Sequence, residues 1–398
     1  MGRSVEGSSG MNNDIKYSKR GSCLVGQKMF LIMDAARVIE ERGERVYHLE
    51  LGNPRLAPPP EIMSKAIDSI RRLEVGYTYS SGHPILRKAI AKLVYESWGR
   101  PATEVNVVIS PANLIINQFL DLVCDPGDRV VFFTPAFPTY WAAAAHIGLF
   151  VESVALDPAT SFDLTDEAVS RALALRPRAI IVNSANNPTG AVYSRATLVR
   201  LAEKCEELGI WLLSDETYGE VSFSKRFESL LQLDLPHLVV MGSFSKIFSI
   251  PGFRVGFLVA HPEVAKKFSL SVSTLISCLP IFTQLGCAAG IRVISEYTAD
   301  VRNRCASITA RCTKMLQESS RISFSPPSAG FYFFLNLESS GMDDITFAEH
   351  LLKVENTAVT PGSSFGLTYN SFIRIATCGH ESDVLEGTSR LVRFVESL

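Results

Sequence analysis

The chain has no CxxC pair, no HExxH histidine spacing and no long apolar run. Its eight cysteines are scattered at 23, 124, 205, 278, 287, 305, 312 and 378. In a protein of 398 residues that pattern points to reduced thiols rather than a disulfide framework or a zinc site. The seven histidines show no metal-binding motif, so no metal is expected. No apolar stretch reaches the roughly 18 residues that span a membrane. An excess of one charge is missing too: 39 basic and 41 acidic residues leave a net charge of −2, without charge runs. Nothing therefore argues for nucleic acid or an acidic membrane surface as partner. The first ten residues are Gly/Ser-rich and lack an apolar core, so no secretory signal is expected there. Met11 offers an alternative start behind an added leader. A cytoplasmic globular protein is the expectation.

What the chain does have is apolar content, 46% of its residues, and a length that fits two or three domains. Residues 1–22 read as a polar, mobile tail. Helical periodicity follows over 28–42, with Phe30, Met33, Ala36 and Ile39 on one face. From residue 105 onward short apolar runs alternate with helical patterns. The runs lie at 105–110, 129–134, 150–155, 179–183, 211–214, 238–241 and 255–260. Alternation of this kind predicts a mostly parallel sheet covered on both faces. In such sheets functional groups gather at the carboxyl ends of the strands. Ser110, Thr134, Asn183–Asn187, Asp215 and Ser243–Lys246 all fall at such ends. The last third, with runs at 331–337 and 372–377 and a helix over 384–395, reads as a smaller α+β lobe.

The segment Gly242–Phe257 places Ser243 and Ser245 beside Lys246, with a Pro-Gly turn and Arg254, between two apolar runs. Burial lowers a lysine pKa, and the neutral amine condenses with carbonyls. Arginine binds phosphate as a rigid fork. Together they suggest a phosphorylated aldehyde, of which pyridoxal phosphate is the obvious one. Asp215 is either a strand-end turn residue or the carboxylate that keeps a pyridine nitrogen protonated. Asn186–Gly190 is an ordinary turn sequence, yet the amide of Asn187 suits a ring oxygen and a carboxylate. Ser110, Ala112 and Asn113 lie where a helix start offers free N–H groups to an anion. Phe137 is either plain core or a ring stacked on the pyridine. Arg374, between Ile373 and Ile375, either faces solvent or clamps a carboxylate.

Taken together, Asn186-Asn-Pro-Thr-Gly190, Asp215-Glu-Thr-Tyr218, Ser243-Phe-Ser-Lys246 and Pro251-Gly-Phe-Arg254-Val-Gly256 resemble the class I/II pyridoxal-phosphate aminotransferases of fold type I. The resemblance runs from about residue 30 to the end. It implies a large domain over 51–288, built on a seven-stranded sheet with one antiparallel strand. Residues 23–50 and 289–398 would form the small domain. It also implies that Lys246 forms the internal aldimine, Asp215 pairs with the pyridine nitrogen, and Asn187 and Tyr218 bind the ring oxygen. Ser243 and Arg254 would bind phosphate, with Tyr77 reaching it from the neighbouring subunit of a homodimer with shared active sites. Arg374 and Asn187 would hold the substrate carboxylate, and Gly52, in a weaker motif, would lie beside it. One departure stands out: Ser110-Pro-Ala-Asn113 replaces the usual glycine or small hydroxyl-bearing run, and Pro111 removes a backbone donor.

Two enzyme readings share these residues. One is transamination between an L-amino acid and a 2-oxo acid. The other is elimination, γ-replacement, cyclisation or oxidation by the same site. A non-enzymatic effector domain is a third reading, weakened by the retained lysine and the lack of a basic patch. For a substrate with a second carboxylate, Arg55 is the candidate cation. Phe137, Tyr140 and Leu279 suit a neutral or aromatic side chain, or simple packing.

Overall fold

A computed structural model describes residues 17–18, 21 and 28–398. Apart from 17, 18 and 21, the polar tail expected over 1–22, and with it Met11, lies outside the described residues. Twelve strands are numbered here in chain order. They are β1 (Tyr47–His48), β2 (Val107–Ser110), β3 (Arg129–Thr134), β4 (Phe150–Ala155), β5 (Ala179–Asn183) and β6 (Trp211–Asp215). They continue with β7 (Leu238–Ser243), β8 (Gly256–Val259), β9 (Tyr332–Asn336), β10 (Thr357–Ala358), β11 (Thr360–Pro361) and β12 (Phe372–Ala376).

Seven of them form one sheet in the order β2-β8-β7-β6-β5-β3-β4. Every pairing is parallel except those of β8, which runs against both neighbours. The expected seven strands and single reversed strand are therefore present. The physical reason is burial. β2, β5, β7 and β8 are buried along their whole length, as continuous apolar runs in a covered sheet must be. Apolar residues on the two faces pack into separate clusters, one around Val131, Ile180 and Val240, the other around Phe132, Ile181 and Val239. Successive residues of a strand point to opposite faces, which splits the core in this way.

Register sets the functional edge. Asn183 pairs with Asp215, and Asp215 with Met241, two residues before Ser243. The polar ends of β5, β6 and β7 thus sit side by side. Gly256 lies between Ser110 and Ser243. A Cβ there would come within 2.9 Å of the Ser110 carbonyl and 3.0 Å of the Ala112 amide nitrogen, so only glycine lets the strands approach the next helix start.

A smaller antiparallel sheet, β11-β12-β9, and a parallel pair, β1-β10, lie outside the large sheet. Their core joins both ends of the described chain: Ile32, Ala36 and Leu49 pack with Ile308, Phe347, Leu391 and Val395. In β12, Ile373 and Ile375 point into this core, so Arg374 must point the other way, towards the large sheet.

Candidate active site

A cavity of about 310 Å³ opens at the carboxyl ends of β5, β6 and β7 and is closed by the smaller sheet. Its floor comes from Asn183, Asp215, Ser243 and Lys246, and one side from Asn187 and Tyr218. Ala112, Asn113 and Ile116 enter from the helix Ala112–Val123, Phe137 from the turn after β3, and Arg254 from the turn before β8. Gly52, Tyr332 and Arg374 complete it from the smaller sheet side.

Lys246 stands in the short helix Phe244–Ile247, whose N-cap is Ser243. The Ser243 hydroxyl accepts from the Ser245 amide at 3.3 Å, which turns the chain sharply after β7 and projects the lysine over the sheet edge. Burial lowers its pKa from the ordinary 10.5 to about 8, with Arg374 and Arg254 pushing the same way. Its Nζ donates to the Gly52 carbonyl at 2.5 Å. A side chain at position 52 would place its Cβ 1.9 Å from the Tyr332 hydroxyl, so glycine is required for that approach.

Asp215 is buried at the end of β6. Burial pushes its pKa up, and bonds from the Thr217 amide at 3.1 Å and the Tyr140 hydroxyl at 2.7 Å pull it back. Asn183 ties this edge together. Its side-chain amide donates to the Asp215 and Ala185 carbonyls, and its Oδ1 accepts from the Asn187 amide at 2.8 Å.

Arg374 is only 1% exposed. Its guanidinium donates to Asn187 Oδ1 at 3.2 Å, the Glu50 carbonyl at 2.5 Å and Thr360 Oγ1 at 3.2 Å. The rings of Tyr332 and Phe365 lie 4.4 and 5.0 Å from its centre. Its Nε has no partner, and no carboxylate among the described residues pairs with it. A buried cation satisfied only by neutral acceptors is a poor resting arrangement and a good anion receptor.

Arg254 holds a left-handed backbone, φ 58°, and its Nη1 donates to the Pro251 carbonyl at 3.0 Å. A non-glycine residue kept in that region costs on the order of 1 kcal/mol, and such outliers concentrate at functional sites.

Two of the expected site residues are not brought to the cavity. Ser110 is fully buried and its hydroxyl donates to Gln118 Oε1 at 2.9 Å, so it points into the helix behind it rather than towards an anion. Tyr77 is 89% exposed and lies outside its own chain's cavity. Leu279, expected near the pocket, is packed in the core instead. Arg55 is exposed and does not line the cavity. Sequence reasoning overlooked Tyr332, whose hydroxyl bonds that of Tyr218 at 2.9 Å, and the hold of Tyr140 on Asp215. The signal for both was a tyrosine in an otherwise apolar buried element, where the hydroxyl must find a partner.

The large sheet, the crevice at its strand ends and a lysine facing a buried arginine define a fold type I transferase. The sequence model described as aminotransferase class I and II matches residues 44–391, and the chain belongs to that family. The chain is similar to an aspartate aminotransferase of Thermotoga maritima, 29% identical over 91% of this chain and 94% of that one. An aspartate aminotransferase of Thermococcus kodakarensis is 32% identical over 86% and 87%. A crystal structure of a Thermotoga maritima aspartate aminotransferase superposes with a TM-score of 0.86 at 28% identity, covering 96% of this chain and all of that one. This protein is a pyridoxal-phosphate-dependent aminotransferase.

The donor set suits that cofactor. Arg254, the hydroxyls of Ser243 and Ser245 and the start of the helix at Ala112 offer anion-binding groups on one wall. Asp215 offers a carboxylate for a ring N–H, and Lys246 an amine near neutrality for an aldehyde. Because only the neutral amine attacks, the rate at which the apoenzyme captures pyridoxal phosphate should rise with pH and level off above about 8. The growth of the visible cofactor band, followed across pH 6–10.5, measures it. A rate still climbing at the top of that range would show an unshifted lysine.

Proposed function

We propose that this cavity moves an amino group between an L-amino acid and a 2-oxo acid, with Lys246 as the residue that holds the cofactor and shuttles the proton. The observation that carries the reading is that a lysine of lowered pKa and a buried, carboxylate-free Arg374 face one cavity. When bound, pyridoxal phosphate supplies an electron sink for the charge left on the substrate Cα. The chain's own residues do the rest. Asp215, with bonds from Tyr140 and the Thr217 amide opposing the upward push of burial, would face a ring N–H and keep that sink strong. Asn187 and Tyr218 would bind the ring oxygen, and Phe137 would lie against the ring. Ser243, Arg254 and the amides of Ala112 and Asn113 would hold the phosphate. Arg374 and Asn187 grip the substrate α-carboxylate beside Gly52. Lys246 Nζ, whose lowered pKa brings the neutral amine within reach near neutrality, would take the Cα proton and return it on the cofactor side.

The division into a cofactor-holding domain over 51–288 and a second domain from 23–50 and 289–398 is part of this reading. It is supported by the packing of both chain ends in one cluster. Hydrogen exchange resolving the two as separate cooperative units would test it. Tyr77 lies in an exposed apolar stretch with Leu73, Val75 and Tyr79. Such a patch calls for a partner surface. A homodimer in which Tyr77 reaches the other subunit's phosphate accounts for it. The seven described cysteines are all unpaired, which fits a reducing cytoplasm.

Lys246→Ala should abolish turnover and the visible cofactor band while leaving the thermal midpoint nearly unchanged. Arg374→Lys should raise KM for the amino donor at least tenfold, because a point charge replaces a planar fork. Normal turnover in the first, or an unmoved KM in the second, would refute these roles. Sedimentation should give twice the single-chain mass, and Tyr77→Phe should weaken cofactor retention several-fold. A monomer that retains cofactor fully would remove the shared-site proposal.

A further inference from the structure

We infer that His48 and Glu50 are positioning residues for substrate binding: their ion pair anchors the segment Glu50–Gly52, whose carbonyls hold Arg374 and Lys246. The inference rests on the reading above that Arg374 takes the substrate α-carboxylate. Glu50 is only 1% exposed, and its Oε1 lies 2.9 Å from His48 Nδ1. The other ring nitrogen, Nε2, lies 3.1 Å from Glu40 Oε1, at the end of the helix Lys28–Glu40. The bond to Glu50 raises the His48 pKa from 6.5 to about 9; burial opposes the rise and Glu40 adds to it. At neutral pH the ring is therefore a cation that donates to a carboxylate on each side. Glu50 Oε2 has no partner among the described residues, so the hold on this carboxylate comes through His48.

The main chain of Glu50 serves the site. Its carbonyl accepts from Arg374 Nη2 at 2.5 Å and from the Thr360 hydroxyl at 2.7 Å. Two residues on, the Gly52 carbonyl accepts from Lys246 Nζ at 2.5 Å. One short segment thus gives an acceptor to both cations read above as meeting the substrate. Leu49, just before it, is fixed on both sides: its amide donates to the Ala358 carbonyl at 2.9 Å, and its carbonyl accepts from the Ala376 amide at 2.7 Å. Beyond Leu49 the chain leaves the strand ladder. A turn of the Glu50–Leu51 peptide would take the carbonyl off Arg374, and a buried carboxylate tied to a cation resists that turn. Glu50, Thr360 and Arg374 are buried within one chain, so these bonds do not depend on a second subunit.

Recognition of the α-carboxylate can be measured without knowing the substrate side chain. Aminooxyacetate and O-methylhydroxylamine carry the same aminooxy group and both condense with the cofactor's aldehyde carbon, but only the first bears a carboxylate. The ratio of their second-order rates on the pyridoxal-phosphate-loaded enzyme, followed by loss of the visible cofactor band, reports the grip on that group. Arg374→Lys should cut the ratio about tenfold or more. His48→Ala and Glu50→Gln should each cut it about fivefold by slowing aminooxyacetate alone. The double variant should be no worse than the worse single one, because the pair acts as a unit. His48 is partly exposed, so His48→Ala should keep the fold and decides the matter if Glu50→Gln does not fold. With Arg374→Lys lowering the ratio as expected, three results would overturn the inference and leave the role of Arg374 standing. They are an unchanged ratio in His48→Ala, equal slowing of both probes, and a larger ratio in Glu50→Gln, which would make that carboxylate a competitor of the ligand. A ratio unmoved by Arg374→Lys would overturn the role of Arg374 and the inference together.

Discussion

The arrangement depends on one uncompensated charge. Arg374 sits on a strand whose neighbouring residues are buried isoleucines, and it finds only neutral acceptors: the Glu50 carbonyl, the Thr360 hydroxyl and the Asn187 amide oxygen. Removing a guanidinium from water costs several kcal/mol unless an anion returns some of it. Those acceptors must be held firmly for the charge to stay. The parallel pair β1-β10, the return of the chain through Glu50 to Gly52, and the Asn186–Gly190 turn all converge on that point. The same field reaches Lys246 and contributes to its lowered pKa.

Burial by itself would neutralise both sides of the site. It pushes Asp215 up and Lys246 down. Directed bonds oppose it at one place more than at the other. Asp215 is given a tyrosine hydroxyl and a backbone amide, which favour its charged form. At Lys246 burial dominates, Cys378 opposes it and two nearby arginines add to it, so its pKa falls to about 8. A carboxylate and an amine on adjacent strand ends thus differ in behaviour because their few polar neighbours differ.

Much of this was legible in the chain. Continuous apolar runs such as Ala179–Asn183 and Leu238–Ser243 are what a covered parallel strand requires, and their polar last residues mark the working edge. Asn187, Asp215, Lys246 and Arg374 fall into one cavity because that edge is shared and β12 alternates. What stayed hidden depends on three-dimensional partners. Ser110 reads as an anion ligand until its hydroxyl is found on Gln118, two helical turns on. Tyr332 reads as one more aromatic in Phe331–Leu335 until the missing side chain of Gly52, nearly three hundred residues away, makes room for it. Tyr140 reads as helix packing until Asp215 is placed beneath it.

The cavity's walls have different origins along the chain. Groups suited to the cofactor lie between Ala112 and Arg254, on the large sheet and its turns. Those facing the rest of the ligand, Phe30, Leu51, Gly52, Tyr332 and Arg374, are drawn from both ends of the chain. Chemistry and choice of ligand are therefore separable by mutation and by recombination. A relative's terminal segments grafted onto this central sheet would keep the reacting edge while changing the wall that selects, so new specificities can arise without disturbing the groups that react.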